Sequence, residues 1–474
     1  MLDLHDTLPP EARDDKLALV YQVNSENFVS VNTSVGQTER VNMKNIVMQG
    51  GKWGPLQCSN SMDKIGKKCV ELGENLYTYK GLVKIMPLAM VDDLLTMAKC
   101  GIKSTDLNIT INKEIEFKKL KLHTPNAQGK SKCHTLHIGK NDRKCQELKV
   151  HGYPMEKVNS DTYLGDIISR DGKNKLNIEN RAAKGVGIVS QIMDTLKTVS
   201  FGEHYFMMAA ALRESMLVNG ILTNCDVWYG LTDIDVGHLE EVDRLLLRQV
   251  FGVASSCPIE ALYLELGCLP ISVIIKSRRI NFLHYLATRK PTERLYKFFI
   301  TQWNHPAARN EWTEKVKLDL EEFGISDDLD LVKGTSEYKF KKMVRKKARE
   351  VALENLTEVK SKHSKMDNVF YVDLKMQEYL KDKNIRRSMA RALFKFKTRM
   401  ARFSENFKEG GQTKPCPLCK DALDTQRHSL ECKVIVVNLK IDIRYEDLFH
   451  SKIDKKVAIT AENILKFKDD YLEV

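Results

Sequence analysis

The hydrophobic pattern of the chain changes its period once. Up to about residue 172 the apolar positions come in short, mostly alternating runs: FVSVNTSV, ERVNMKNIVM, the stretch 76–97 (LYTYKGLVKIMPLAMVDDLLTM), 133–139 (CHTLHIG) and 162–169 (TYLGDIIS). Such runs, bounded by turn residues, predict strands joined by tight turns. Helical spacing interrupts them over 14–23 (DDKLALVYQV) and 103–118. Beyond residue 174 the period moves to about 3.6 residues, in NKLNIENRAAKGVGIVSQIMDTL and YFMMAAALRESMLVNGIL. The pattern therefore predicts an α+β chain, mixed at the front and helical behind.

Punctuation refines the helical part. Ser256, Cys257, Pro258, Ile259 and Glu260 open a helix with proline near its first turn and a carboxylate inside it, Gly267 closes it, and Pro270 starts the next. The segments expected are a mixed region over 1–172, a helical region over 173–310, and a charged stretch over 311–410, acidic first and basic after. A cysteine cluster over 411–436 follows the short, flexible-reading linker GGQTKP, and a small helical tail spans 437–474.

Charge changes the picture more than composition does. The net charge is +12, and residues 331–410 hold 22 Lys+Arg against 10 Asp+Glu, so this one stretch carries the entire excess. That concentration makes a polyanionic partner as good a reading as a solvated helical face. No run of apolar residues is long enough for a transmembrane helix. The acidic start MLDLHDTLPPEARDD lacks the apolar core of a secretory signal. Eleven scattered cysteines, an odd number, argue against a disulfide framework and for free thiols in a reducing, intracellular setting.

Three patterns carry chemistry. Asp92 and Asp93 stand between LAMV and LLTM, at the turn of a predicted hairpin, where two carboxylates can converge on Mg²⁺. Cys416 and Cys419 are two residues apart, and His428 and Cys432 lie one helical turn apart. Together they make a Cys₃His set suited to closed, structural Zn²⁺. The segments KFKKMVRKKAREVALENL and RRSMARALFKFKTRMARFSENF are basic amphipathic helices interspersed with phenylalanine. They are expected to contact nucleic acid, to pack inward, or to do both on different faces.

Around the acidic pair, four ordered segments resemble the palm of non-LTR retrotransposon reverse transcriptases: the QG-containing stretch 35–63, the hairpin with Asp92 and Asp93, KLHTPNAQGKSKCHTLHIGK, and TYLGDIISRDGK. ILTNCDVWYGLT is similar to the thumb of such elements, and the Cys₃His set to their C-terminal zinc knuckle. The resemblance implies a partial palm, a helical thumb and RNA-directed DNA synthesis, with RNA and DNA as partners and a nuclear location. It implies Asp92 and Asp93 as catalytic Mg²⁺ ligands and Lys132 as a general acid toward the leaving pyrophosphate. Gln49, Gly50 and Gly51 would position template and nucleotide, and Tyr163, Leu164 and Gly165 would form the primer grip.

One departure is expected to matter. The family's palm has a further aspartate, on an aromatic-rich strand before the QG segment. Among the acids preceding Gln49 (Asp3, Asp6, Glu11, Asp14, Asp15, Glu26, Glu39) none sits in a strand of that type. A two-metal site short of a bridging carboxylate is expected to be catalytically incomplete. The alternatives are a non-catalytic nucleic-acid-binding zinc-knuckle protein and an unrelated helical scaffold carrying a zinc module.

Overall fold

The computed structural model describes the chain from Phe28 onward except residues 31, 34–35, 43–53, 80, 86, 91–92, 100, 118–121, 125–130, 140–146, 199–203, 306–311, 361–365, 367–370, 408–410, 451–452 and 473–474. The chain folds as two compact units, 1–161 with 169–172, and 162–168 with 173–474. It is α+β, with small, mostly antiparallel sheets in the first unit and helices dominating the second. Among the described residues every sheet has two strands. No described helix is long and apolar enough to cross a membrane.

The first unit is organised by two helices, α1 (Gly54–Glu71) and α2 (Gly101–Phe117). Leu107, Ile111 and Ile115 recur every fourth residue on α2, so they share one face. That face buries against Met62, Ile65 and Cys69 of α1 and against Leu76. The chain between the helices forms the antiparallel pair β1 (Leu88–Met90) and β2 (Asp93–Leu95), in which Met90 faces Asp93. Further along, β3 (His134–Leu136) pairs in parallel with β4 (Glu156–Val158). The hairpin β5 (Ser160–Tyr163) and β6 (Asp166–Ser169) turns through Leu164 and Gly165, both at positive φ (49° and 85°). Two left-handed residues in succession define a tight two-residue hairpin turn whose twist matches its strands.

The second unit is a helical assembly around one continuous core. Its helices are α3 (Lys175–Thr198), α4 (Tyr205–Leu212), α5 (Asp233–Phe251), α6 (Ile259–Leu266), α7 (Ile271–Ala287), α8 (Arg294–Asn304), α9 (Trp312–Glu322), α10 (Leu329–Gly334), α11 (Glu337–Lys360), α12 (Glu378–Lys381), α13 (Arg387–Lys397), α14 (Gln426–Glu431), α15 (Lys433–Leu439) and α16 (Lys455–Leu472). Pro258 and Pro270 precede α6 and α7, and Gly267 ends α6 in the left-handed conformation (φ 67°). Phe340, Val344, Ala348, Ala352 and Leu356 form the inward stripe of α11, spaced by four residues throughout. The segments from 173 to 474 share this core. Cys416, Leu418, Leu430 and Cys432 of the cysteine cluster and Val457, Ala458, Ala461 and Ile464 of α16 all belong to it.

Charged side chains tie the helices together from within. Arg213 lies in a π-turn that continues α4 (Arg213–Val218), and its guanidinium forks onto Asp243 of α5 with two bonds of 2.6 Å. Tyr263 of α6 donates to the same carboxylate (2.9 Å), and Arg213 also donates to the Leu269 carbonyl (2.8 Å). Such a pair is tolerable in an apolar interior because each charge is answered by the other and by hydrogen bonds.

Candidate metal centre

Cys416, Cys419, His428 and Cys432 come together, with one ligand atom from each lying within 4.8 Å of all the others. Local structure delivers them in two pairs. Pro415 and Leu423 form an antiparallel bridge, Cys416 donates its backbone N–H to the Ala422 carbonyl (2.7 Å), and Lys420 donates to the Cys416 carbonyl (2.9 Å). Lys420, just past the second thiol, takes φ 61° where the chain turns back toward Ala422. The second pair rides on α14. Thr425 caps this helix by accepting from the His428 N–H (2.9 Å). Cys432 stands one turn beyond His428, its N–H on the His428 carbonyl (2.6 Å).

Three sulfurs and one imidazole suit tetrahedral Zn²⁺, whose bonds of about 2.0–2.3 Å leave ligand atoms roughly 3.5–3.8 Å apart. The Cys419 sulfur is already 3.2 Å from Nε2 of His428. Bonds from the backbone at Asp421, assisted by His428, pull the Cys419 thiol down to about 7, while burial pushes Cys416 up. Three thiolates around a divalent ion leave one net negative charge. Lys433, itself paired with Asp421, interacts favourably with Cys419 and Cys432, and Lys468 does so with Cys416. The donors fit zinc, and Cys416, Cys419, His428 and Cys432 would hold it. Two thiols elsewhere in the unit behave differently: desolvation drives the buried Cys225 and the half-buried Cys268 to about 12, leaving them inert.

The metal centre is bolted into the helical unit. Asp424 accepts from the buried ammonium of Lys468 on α16 (2.6 Å) and from the Ser404 N–H (2.8 Å). Lys468 also lies 3.9 Å above the Phe403 ring. Gln426, fully buried, donates to the Phe396 carbonyl at the end of α13 (3.0 Å).

The residues assigned by resemblance to polymerase chemistry fare differently. Gln49, Gly50, Gly51 and Asp92 lie outside the described residues. Asp93 is exposed at the start of β2 and belongs to no cluster of three or more metal-ligating side chains among the described residues. Lys132 is exposed just before β3, its backbone N–H donating to Nδ1 of His123 (3.2 Å). Tyr163, Leu164 and Gly165 form the turn of the β5–β6 hairpin.

The residue beside that turn is one the motif reading passed over. Asp166 accepts from Asn177 Nδ2 (2.9 Å), from the buried Arg181 (2.9 Å), from Asn224 (2.7 Å) and from the Trp228 indole (3.4 Å). Arg181 donates also to the Gly165 carbonyl (3.0 Å). Asn177 and Arg181 are four residues apart on α3, so one helix face holds the hairpin tip. The available signal was the acid immediately after the turn followed by that polar pair.

No protein-family model matches the chain, and no curated protein matches it either.

Proposed function

We propose that this protein binds nucleic acid through its zinc-organised helical unit and descends from a non-LTR retrotransposon reverse transcriptase. The observation carrying the proposal is the convergence of Cys416, Cys419, His428 and Cys432 within 4.8 Å, tied by Gln426 to α13, a helix of the stretch that holds the whole positive excess. A structural zinc ion supplies no chemistry of its own; it fixes a surface. The order of the QG, Asp92–Asp93, Lys132 and Tyr163–Gly165 segments supports the lineage. RNA-directed DNA polymerisation with Mg²⁺ at Asp92 and Asp93 is the ancestral activity under this reading, and this chain is proposed to lack it.

Two measurements test the proposal. Binding to labelled RNA and DNA, titrated at several salt concentrations, should weaken steeply as salt rises, because each phosphate contact releases counterions. Absence of binding at low salt overturns the reading. Primer extension on an RNA template with Mg²⁺ or Mn²⁺ should give no product, and template-dependent synthesis would instead establish the chain as a working polymerase.

A further inference from the structure

The two basic helices answer their charges in different ways. On α11, Lys341 pairs with Glu337 (2.5 Å), and Lys346 and Lys347 pair with Glu350 (3.6 and 3.1 Å). Lys339, Lys342 and Arg345 point into solvent, where a cation needs no partner. On α13 the cations are half-buried. Arg387, Arg391 and Lys395 recur every fourth residue and so share one stripe, about 6 Å per step. Lys397, on the other side, is buried against Glu265 at 2.9 Å.

A fourth cation joins the stripe through the turn that ends α13. Arg399 takes φ 51°, and the N–H groups of Met400 and Ala401 both donate to the Lys395 carbonyl (2.8 and 3.1 Å). The exposed Arg402 follows this turn, near enough to Lys395 that its charge disfavours that of the ammonium.

Among the described residues none of these four forms an ion pair with a carboxylate. Arg391 is held by the carbonyls of Gln249 and Val250 at the end of α5 (2.8 Å each from Nη2). Arg387 and Arg391 also lie 4.9 and 5.6 Å from the centre of the Tyr205 ring. The Lys395 ammonium has no hydrogen-bond partner among the described residues. Burial lowers its ammonium's affinity for the proton, Asp469 works against that, and Arg391 and Arg402 add to it. Drawing the like charges of Arg387, Arg391 and Lys395 partly out of water, with only Asp469 to answer them, costs free energy. An anion laid along the stripe supplies the missing charge.

We propose that Arg387, Arg391, Lys395 and Arg402 form a track for the phosphodiester backbone of nucleic acid. The inference rests on the nucleic-acid reading above and assigns the contact to α13 rather than to the more conspicuous lysines of α11.

The test uses the full chain with zinc and two fluorescent probes, an RNA hairpin and a mixed-sequence DNA duplex, followed by anisotropy over a range of KCl. Lys395 and Arg402 are the residues to change, because neither side chain holds the fold through a described hydrogen bond. The Lys395→Gln/Arg402→Gln protein should melt like the parent and bind about ten-fold more weakly at low salt. Its slope of log K against log salt should be shallower by roughly 2, since each lost phosphate contact removes about one counterion. The charge-keeping Lys395→Arg/Arg402→Lys protein should bind as the parent does. Unchanged affinity and slope in the glutamine variant overturn the track, as does a loss confined to Lys339→Gln/Lys342→Gln on α11. Failure of the parent chain to bind either probe is a different result and overturns the nucleic-acid reading itself.

Discussion

Glu265 of α6 and Lys397 of α13 face each other at 2.9 Å in the middle of the helical core, both almost wholly removed from solvent. Two hydroxyls complete the carboxylate's shell, those of Tyr371 (2.6 Å) and Tyr379 (2.7 Å). Burial and the Glu265 charge hold both phenols well above their usual pKa, so they remain donors. Removing only the ammonium, as in Lys397→Met, leaves a buried charge without its counter-ion and should cost about 3–5 kcal/mol. Adding Glu265→Gln to that variant should recover a substantial part. Urea unfolding of the two single variants and the double variant measures the coupling, and simple additivity would show that the pair does not act as one unit.

Gly267 is constrained twice. Its φ of 67° disfavours any side chain, and a Cβ there would sit 2.1 Å from the backbone nitrogen of Met376. Gly230 has a similar φ of 60° with nothing within 4 Å. Gly230→Ala should therefore cost only the left-handed penalty, about 1–2 kcal/mol. Gly267→Ala should cost several kcal/mol more, because backbone on the facing segment must move. Equal melting temperatures for the two variants would contradict the close approach.

The metal centre shares its core with α13 and α16, so zinc loss should not stay local. Cys432, fully buried, is the ligand to test. Cys432→Ser, or excess chelator, is expected to abolish stoichiometric zinc in a colorimetric assay and to lower the unfolding free energy of the whole helical unit by several kcal/mol, a fraction of the roughly 10–16 kcal/mol that zinc supplies to isolated fingers. Zinc uptake should release protons and weaken as pH falls, since the thiols must ionise to bind. Melting that ignores zinc would show that packing alone holds the module.

Asp319 provides a pH dependence with a defined sign. Burial raises its carboxyl from 3.8 to about 6, against the opposing pull of Arg279 at 2.9 Å. Between those two values the folded state holds more protons than the unfolded chain. The group's stability contribution is therefore fully present below the unfolded value and is lost as pH rises through the folded one. Lowering pH from about 7 to about 4 should favour the parent over Asp319→Asn by an order of 1–3 kcal/mol. Urea midpoints of the two proteins that move in parallel with pH would remove Asp319 as the cause.

Much of the helical half was legible because its signals are local. Pro258, Gly267 and Pro270 bound helices through backbone preferences that act within one turn, and the spacing of Cys416, Cys419, His428 and Cys432 specifies a ligand set almost without reference to the remaining chain. Charge patterning was less informative. The second basic segment read as an amphipathic helix that could contact nucleic acid, pack inward, or do both on different faces; its Lys397 is buried against Glu265 while Lys395, two residues earlier, has no acid partner within bonding reach. Nothing near either lysine in sequence distinguishes them.

The sequence by itself determined the α+β division, the ends of several helices and the Cys₃His set that could hold zinc, since periodicity, capping and chelate spacing are properties of neighbouring residues. Only the tertiary structure decided which charges are answered: Asp166 by α3, Asn224 and Trp228; Arg213 by Asp243; Glu265 by Lys397. Those partners are separated along the chain and meet only once the helices pack. Whether a given cation is a structural strut or a binding group therefore depends on the packing, which no local pattern records.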